Sequence, residues 1–285
     1  VRLVRYRAAD SGIRSGVVVA VDGVDRVVDL GAADLPSLLA TGRDVLDTAA
    51  ARAGASDPEL SDVRLEAPVR PGKILCLGYN YRGHVPDGVD PTADDPAFPD
   101  VFVKTPNTLG GPADPIVVPE VAVDVDYEGE IAVVIGRRTR DVGIDDALHH
   151  VAGYTILNDV SDRSWQRRQS QWALGKCFDG FAPLGPWLVT PDEAGDPQDM
   201  LVEVVRDGVV TVSQSTATTI FSVASVVSYL SSVMTLEPGD VVSTGTPQKL
   251  PDAQQAHRPL RAGDAVTVRI ERLGELTTTF IGGSA

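Results

Sequence analysis

The chain has 285 residues, 43% of them apolar, and a formal net charge of −15, enough for one large hydrophobic core or two unequal ones. No apolar run approaches the ~18 residues of a membrane-spanning helix, and an acidic chain with scattered arginines lacks the basic patch that nucleic acid or an anionic membrane surface attracts. Two cysteines, Cys76 and Cys177, are too few for a disulfide framework and lack metal-site spacing; with no secretory signal in "VRLVRYRAADSG", a reducing cytoplasm is the expected compartment.

In chain order the pattern predicts a small leading unit, residues 1–68, and a larger one, 69–285. The first holds short alternating runs, "SGVVVAVDG" and "DRVVDL", then helical spacing at "LPSLLA" and "VLDTAAARA". "LEAPVRPG" carries the prolines of a linker or sheet entry. From "KILCLG" onward strands dominate: 101–104, 116–118, 129–135, 152–158, 186–190, 201–206, 209–213, 240–244, 265–271 and 275–281. Two helices interrupt them. One is short, near "IDDALHHV"; in the other, "FSVASVVSYLSSVM", Val223, Val226, Val227, Leu230, Val233 and Met234 follow helical spacing, with "EPGD" as the stop. Many strands with few helices predict a mixed α/β but mainly β fold, sheet on sheet or barrel-like.

Several chemistries are excluded by missing motifs: no GxSxG elbow, no P-loop, no GxGxxG after a strand, no HExxH and no cysteine pair spaced for zinc. What stands out is oxygen. In "VDVDYEGEIAVVIG", Glu128 and Glu130 sit at the mouth of a dry strand and share one face, roughly 7 Å apart along the backbone. Two arrangements suit such a pair: an exposed strand end in water, or a divalent cation between the carboxylates that removes their repulsion. In "VAGYTILNDVSDRSWQ" a second apolar strand ends at Asn158 and Asp159; Asp159 suits a turn or cap, or a third ligand. Three carboxylates together would favour Mg²⁺ or Mn²⁺ over zinc. Only four of the 25 basic residues are lysines, Lys73, Lys104, Lys176 and Lys249; in an arginine-rich chain these are either surface survivors or places that want a compact ammonium.

"CLGYNYRGH", "DYEGEIAVVIG", "GYTILNDVSDRSWQ", "GKCFDGFAPLGPWLV" and "LEPGDVVSTGTP", in this order, resemble the fumarylacetoacetate hydrolase family. The resemblance runs from about Lys73 to the C-terminus, where "LRAGDAVTVRIERLGELTTTF" is similar to the family's closing hairpin. It implies a mixed β-sandwich roll with a smaller N-terminal domain, usually a homodimer, and a divalent metal, Mg²⁺ or Mn²⁺, held by Glu128, Glu130 and Asp159. By the same resemblance Lys176 reaches the substrate, Arg163 and Gln166 touch its oxygens, and Thr246 binds its carboxylate.

For a base the sequence offers His84, after the "KILCLG" strand and among turn residues; His149, His150 and His257 sit where solvent exposure is expected. Hydrolytic members of the family pair this histidine with a glutamate three residues on, and here that position is Asp87. Aspartate is shorter, and Pro86 disfavours helical geometry at Val85, so the pairing departs from the family pattern. Cys177 replaces the usual hydroxyl residue after Lys176 and reads as a small packed side chain. After "TGTP" the chain continues "QKLPDAQQAHRP" where glycine-rich sequence is common, which predicts a different pocket wall. The first expectation is a metal-dependent hydrolase that cleaves a carbon–carbon bond in an acylpyruvate-like or fumarylacetoacetate-like 2-oxo acid. A decarboxylase, isomerase or hydratase of a 2-oxo acid is the alternative, and a non-catalytic dicarboxylate-binding protein the third.

Overall fold

The computed structural model describes residues 1–8, 12–40, 43–85, 90 and 94–283. Its centre is the antiparallel pair Gly129–Ile135 and Val151–Asn158, in register from Gly129 opposite Asn158 to Val134 opposite Gly153, with a one-residue shift before Ile135 opposite Val151. Every residue of both strands is buried, as continuous apolar runs require when both faces are covered. Ile131, Val133 and Ile135 turn toward Val202, Val204, Val266 and Val268 of a second sheet. Ala132 and Val134 turn the other way, into a cluster with Leu3, Val17, Leu35 and Leu46.

Across the large sheet the order is Val24–Gly31, Gly12–Val21, Arg2–Ala8, Ala182–Val189, Val151–Asn158, Gly129–Ile135, Val241–Ser243, Ile74–Gly78 and Asp100–Lys104. Along this path only Val241–Ser243 and Ile74–Gly78 run parallel. The second sheet runs Val209–Ser215, Leu201–Arg206, Ala265–Ile270, Gly274–Gly282 and Ile116–Val118. The mixed, mainly β architecture expected from the pattern is thus two packed sheets. The long helix predicted near residue 223 spans Val223–Val233, with Val223, Val226, Val227 and Leu230 buried and Ser222 capping it by accepting the Ser225 N–H. Among the described residues no helix is long and apolar enough to cross a membrane.

Two strands exceed what periodicity predicts. Arg2–Ala8 pairs with Ala182–Val189, Leu3 opposite Leu188, although its alternating arginines read as polar sequence. Ala182–Val189 begins four residues before the predicted start at 186, because Pro183, Gly185 and Pro186 read as a turn. The pairing absorbs them through a register shift between Tyr154 and Ile156.

Candidate metal centre and active site

The register of the two central strands builds the site. Glu130 lies opposite Leu157, and Asp159, two residues beyond Leu157, keeps to the same face. The Asp159 N–H donates to the Glu128 carbonyl at 2.8 Å, tying the two strand ends together. Gly129, between the glutamates, faces the second sheet; a Cβ there would lie 2.7 Å from Val204 Cγ2 and 2.8 Å from Val268 Cγ1. Only glycine lets the second sheet close while its neighbours point the opposite way. One carboxylate oxygen from each of Glu128, Glu130 and Asp159 lies within 4.8 Å of the other two, and all three residues are buried.

Around this trio charges alternate in a chain. Lys104 Nζ lies 2.5 Å from Asp159 Oδ1. Lys176 Nζ bridges Asp159 Oδ2 and Glu128 Oε2 at 2.6 Å each. Arg163 Nη2 is 2.6 Å from Glu128 Oε1 and 3.1 Å from Asp126 Oδ2, and Lys249 Nζ bonds Asp126 Oδ1. Glu130 stands outside the chain: its Oε2 accepts the Ser243 hydroxyl at 2.5 Å and the Gly245 N–H at 3.0 Å. Gly245 has φ +86°, a conformation open to glycine that aims this N–H at the carboxylate.

Burial favours the neutral form of Glu130, and Asp159 and Glu128 push the same way, so its pKa stands well above the ordinary range. Burial opposes the charge on Glu128 as well, but Arg163 and Lys176 hold its carboxyl well below that range. Burial likewise opposes the Lys176 ammonium, yet Asp159 and Glu128 raise its pKa. The donor set fits a hard divalent cation: oxygen ligands only, converging, with one carboxylate that no lysine or arginine neutralises. Glu128, Glu130 and Asp159 would hold such an ion.

A cavity of about 600 Å³ opens on two of the trio, Glu128 and Glu130, and is lined also by His84, Arg163, Gln166, Lys176 and Thr246, with Trp172 and Tyr79 on its wall. His84 is partly buried; its Nδ1 lies 2.9 Å from the Thr246 carbonyl oxygen. Arg163 and Gln166 share a short helix, Arg163–Gln166, and Arg163 donates to Gln166 Oε1 at 3.0 Å. Thr246 is buried. Asp87 lies outside the described residues. His149 is exposed, His150 meets Thr139 Oγ1 at 3.0 Å and His257 meets Asp124 at 3.0 Å. Cys177 is half-buried, with Sγ 3.5 Å from the Val103 carbonyl.

Sequence reasoning left four members of this cluster unassigned: Lys104, Asp126, Ser243 and Lys249. The rarity of lysine was the available signal. Three of the four lysines belong to the cluster, and the fourth, Lys73, pairs with buried Asp240 at 2.5 Å. The two-residue spacing of Asp126, Glu128 and Glu130 was the other, since all three line the cavity.

The chain is similar to known proteins in both sequence and fold. Residues 73–281 match the family model described as fumarylacetoacetate (FAA) hydrolase C-terminal. An oxaloacetate tautomerase of Xenopus laevis, described as mitochondrial, is 36% identical over 98% of this chain and 90% of its own. The structure of a fumarylacetoacetate hydrolase from Exiguobacterium antarcticum superposes with a TM-score of 0.82 at 34% identity, covering 99% of each chain. A maleylpyruvate hydrolase from Sphingobium sp., solved with manganese(II) and pyruvate, gives a TM-score of 0.80 at 28% identity over 100% of each chain.

Proposed function

The chain belongs to the fumarylacetoacetate hydrolase family, and we propose that it is a divalent-metal-dependent enzyme that moves a proton at C3 of a small 2-oxo acid, interconverting its keto and enol forms. The choice of reaction is carried by the similarity to an oxaloacetate tautomerase, and its base by the bond from His84 Nδ1 to the Thr246 carbonyl. A carbonyl only accepts, so Nδ1 carries a proton, and the tautomer selected for the neutral ring has its lone pair on Nε2, the atom that can act as a base beside the cavity. Proton transfer at C3 needs that base and an electrophilic centre; the described residues supply the base and the carboxylates that would hold a metal as the electrophile. Hydrolytic cleavage needs in addition a water held toward a second carbonyl. The similarity to an oxaloacetate tautomerase over nearly the whole chain supports placing proton transfer ahead of hydrolysis, the reverse of the order expected from the sequence.

Mg²⁺ or Mn²⁺ held by Glu128, Glu130 and Asp159 would polarise the keto oxygen of a chelating 2-oxo acid and so acidify C3. His84 Nε2 takes the C3 proton, the electron pair becomes the C2–C3 double bond, and the proton is returned to the oxygen on C2. Gln166, whose Oε1 is occupied by Arg163, has its amide N–H groups left to donate to ligand oxygens. Asp126, Glu128 and Asp159 pair with four cations, Lys104, Arg163, Lys176 and Lys249, and ionised Glu130 supplies a fourth negative charge that pairs with none of these four. The protein's own charges balance, so a divalent ion leaves two positive charges for a dianionic ligand, which favours a 2-oxo dicarboxylate.

The test is the ultraviolet absorbance of enol-oxaloacetate followed with Mg²⁺ or Mn²⁺ present. Interconversion is expected, and His84→Ala is expected to lower it by about 10²- to 10⁴-fold with metal binding intact. The similarity to a fumarylacetoacetate hydrolase over nearly the whole chain favours a second reading, cleavage of an acylpyruvate. Loss of acylpyruvate absorbance with pyruvate release, and no effect on oxaloacetate, would replace the first reading with that one.

A further inference from the structure

We propose that Lys249 sets substrate specificity: its ammonium binds the second carboxylate of a short 2-oxo dicarboxylate, at the end of the cavity away from Glu130. The inference rests on the 2-oxo acid reading above and names the part of the molecule that reads the substrate's far end.

Lys249 stands three residues beyond Thr246, in the stretch where the chain departs from the family's glycine-rich pattern. It lines the same cavity as Glu128 and Glu130, and its side chain is only 16% exposed. Two contacts fix the ammonium: the bond to Asp126 Oδ1 and the face of Tyr127, 4.2 Å from the ring centroid. Such a held, partly desolvated cation interacts with an anion far more strongly than a surface lysine does.

Position along the backbone gives the reach. Asp126, Glu128 and Glu130 line the cavity at two-residue steps, each about 7 Å in extended chain. Lys249, at Asp126, marks a point one step past Glu128. An acid chelated at the trio presents a carboxylate there only if it carries a second one. The alternating chain of charges also ends at Lys249. Asp126 divides its two oxygens between Lys249 and Arg163, and an ammonium has three hydrogens to donate. Burial outweighs Asp126 and lowers the Lys249 pKa, so a further anion at this point is stabilising.

The experiment titrates the Mn²⁺-loaded full chain with oxaloacetate and with pyruvate, reading tryptophan fluorescence in stopped flow, since Trp172 lines the cavity. Wild type should bind the diacid at least about tenfold more tightly than pyruvate. Lys249→Met should abolish that preference while leaving pyruvate affinity within about twofold, and Lys249→Arg should retain part of it. The proposal is overturned if wild type shows no preference, if the preference survives Lys249→Met, or if both ligands weaken equally. A Lys249-dependent preference without turnover of any 2-oxo acid upholds the binding role and sinks the tautomerase reading; turnover with a preference indifferent to Lys249 does the reverse.

Discussion

Glu130 is the residue on which metal binding can be read. Its carboxyl is raised by burial and by two neighbouring carboxylates, so the folded chain holds this proton more tightly than the unfolded chain does. The stabilising contribution of that proton is complete at low pH and is lost as pH rises from the ordinary glutamate range through the raised native value. A divalent ion competes for the same oxygens and is favoured as the proton leaves. The Mg²⁺-induced stabilisation, read as a rise in Tm, is therefore expected to grow with pH over this interval, approaching ~2.7 kcal/mol at a hundred times Kd. In Glu130→Gln the Mg²⁺ increment should vanish and the metal-free protein should keep its Tm across the same interval. An increment that is flat with pH, or unchanged in the variant, would show that Glu130 is not a ligand.

At the level of elements, the site depends on how closely the two sheets approach behind it. Gly129 permits that approach, with Val204 and Val268 where a Cβ would stand. Gly129→Ala should destabilise the fold by ~1–3 kcal/mol through overpacking, measured as a lowered urea midpoint at constant m-value. Alanine suits a strand better than glycine does, so a midpoint that stays or rises would mean the sheets have slack at this point. A second element-level support is Asn80, buried between segments: its side-chain amide donates to the Thr244 and Phe221 carbonyls at 2.9 and 3.1 Å and accepts the Phe221 N–H at 2.8 Å. It holds the loop bearing His84 against the Thr244–Thr246 segment, whose carbonyl orients the imidazole.

At the scale of the molecule, the large sheet ends at Asp100–Lys104, which among the described residues pairs on one side only, with Ile74–Gly78. Its outward side chains are apolar: Val101 is 37% and Val103 48% exposed, with Phe98 nearby at 68%. Open strand edges with apolar side chains favour self-association unless covered. We expect the homodimer implied by the family resemblance, and propose that it covers this edge. Light scattering should give twice the chain mass of 30.1 kDa, and Val101→Lys with Val103→Lys should shift the equilibrium to monomer. A wild-type monomer at micromolar concentration would refute the proposal.

Sequence alone was enough for whatever depends on local pattern. Alternation and apolar runs placed the central strands and the helix at Val223–Val233, because burial leaves a period in the chain. The ordered motifs pointed to the family, and "YEGE" with "NDVS" to the trio whose oxygens converge. Tertiary structure decided what depends on partners far apart in sequence. That Ser243 and Gly245 hold Glu130, that Lys104 backs Asp159 and that Lys249 faces Asp126 are contacts across 55 to 123 positions, and no periodicity encodes them. The short helices at Arg163–Gln166 and Ala173–Lys176 span about one turn each, too little for a repeat to be seen. The orienting partner of His84 is a backbone carbonyl, an atom every residue carries, so only the folded chain could show which one it is.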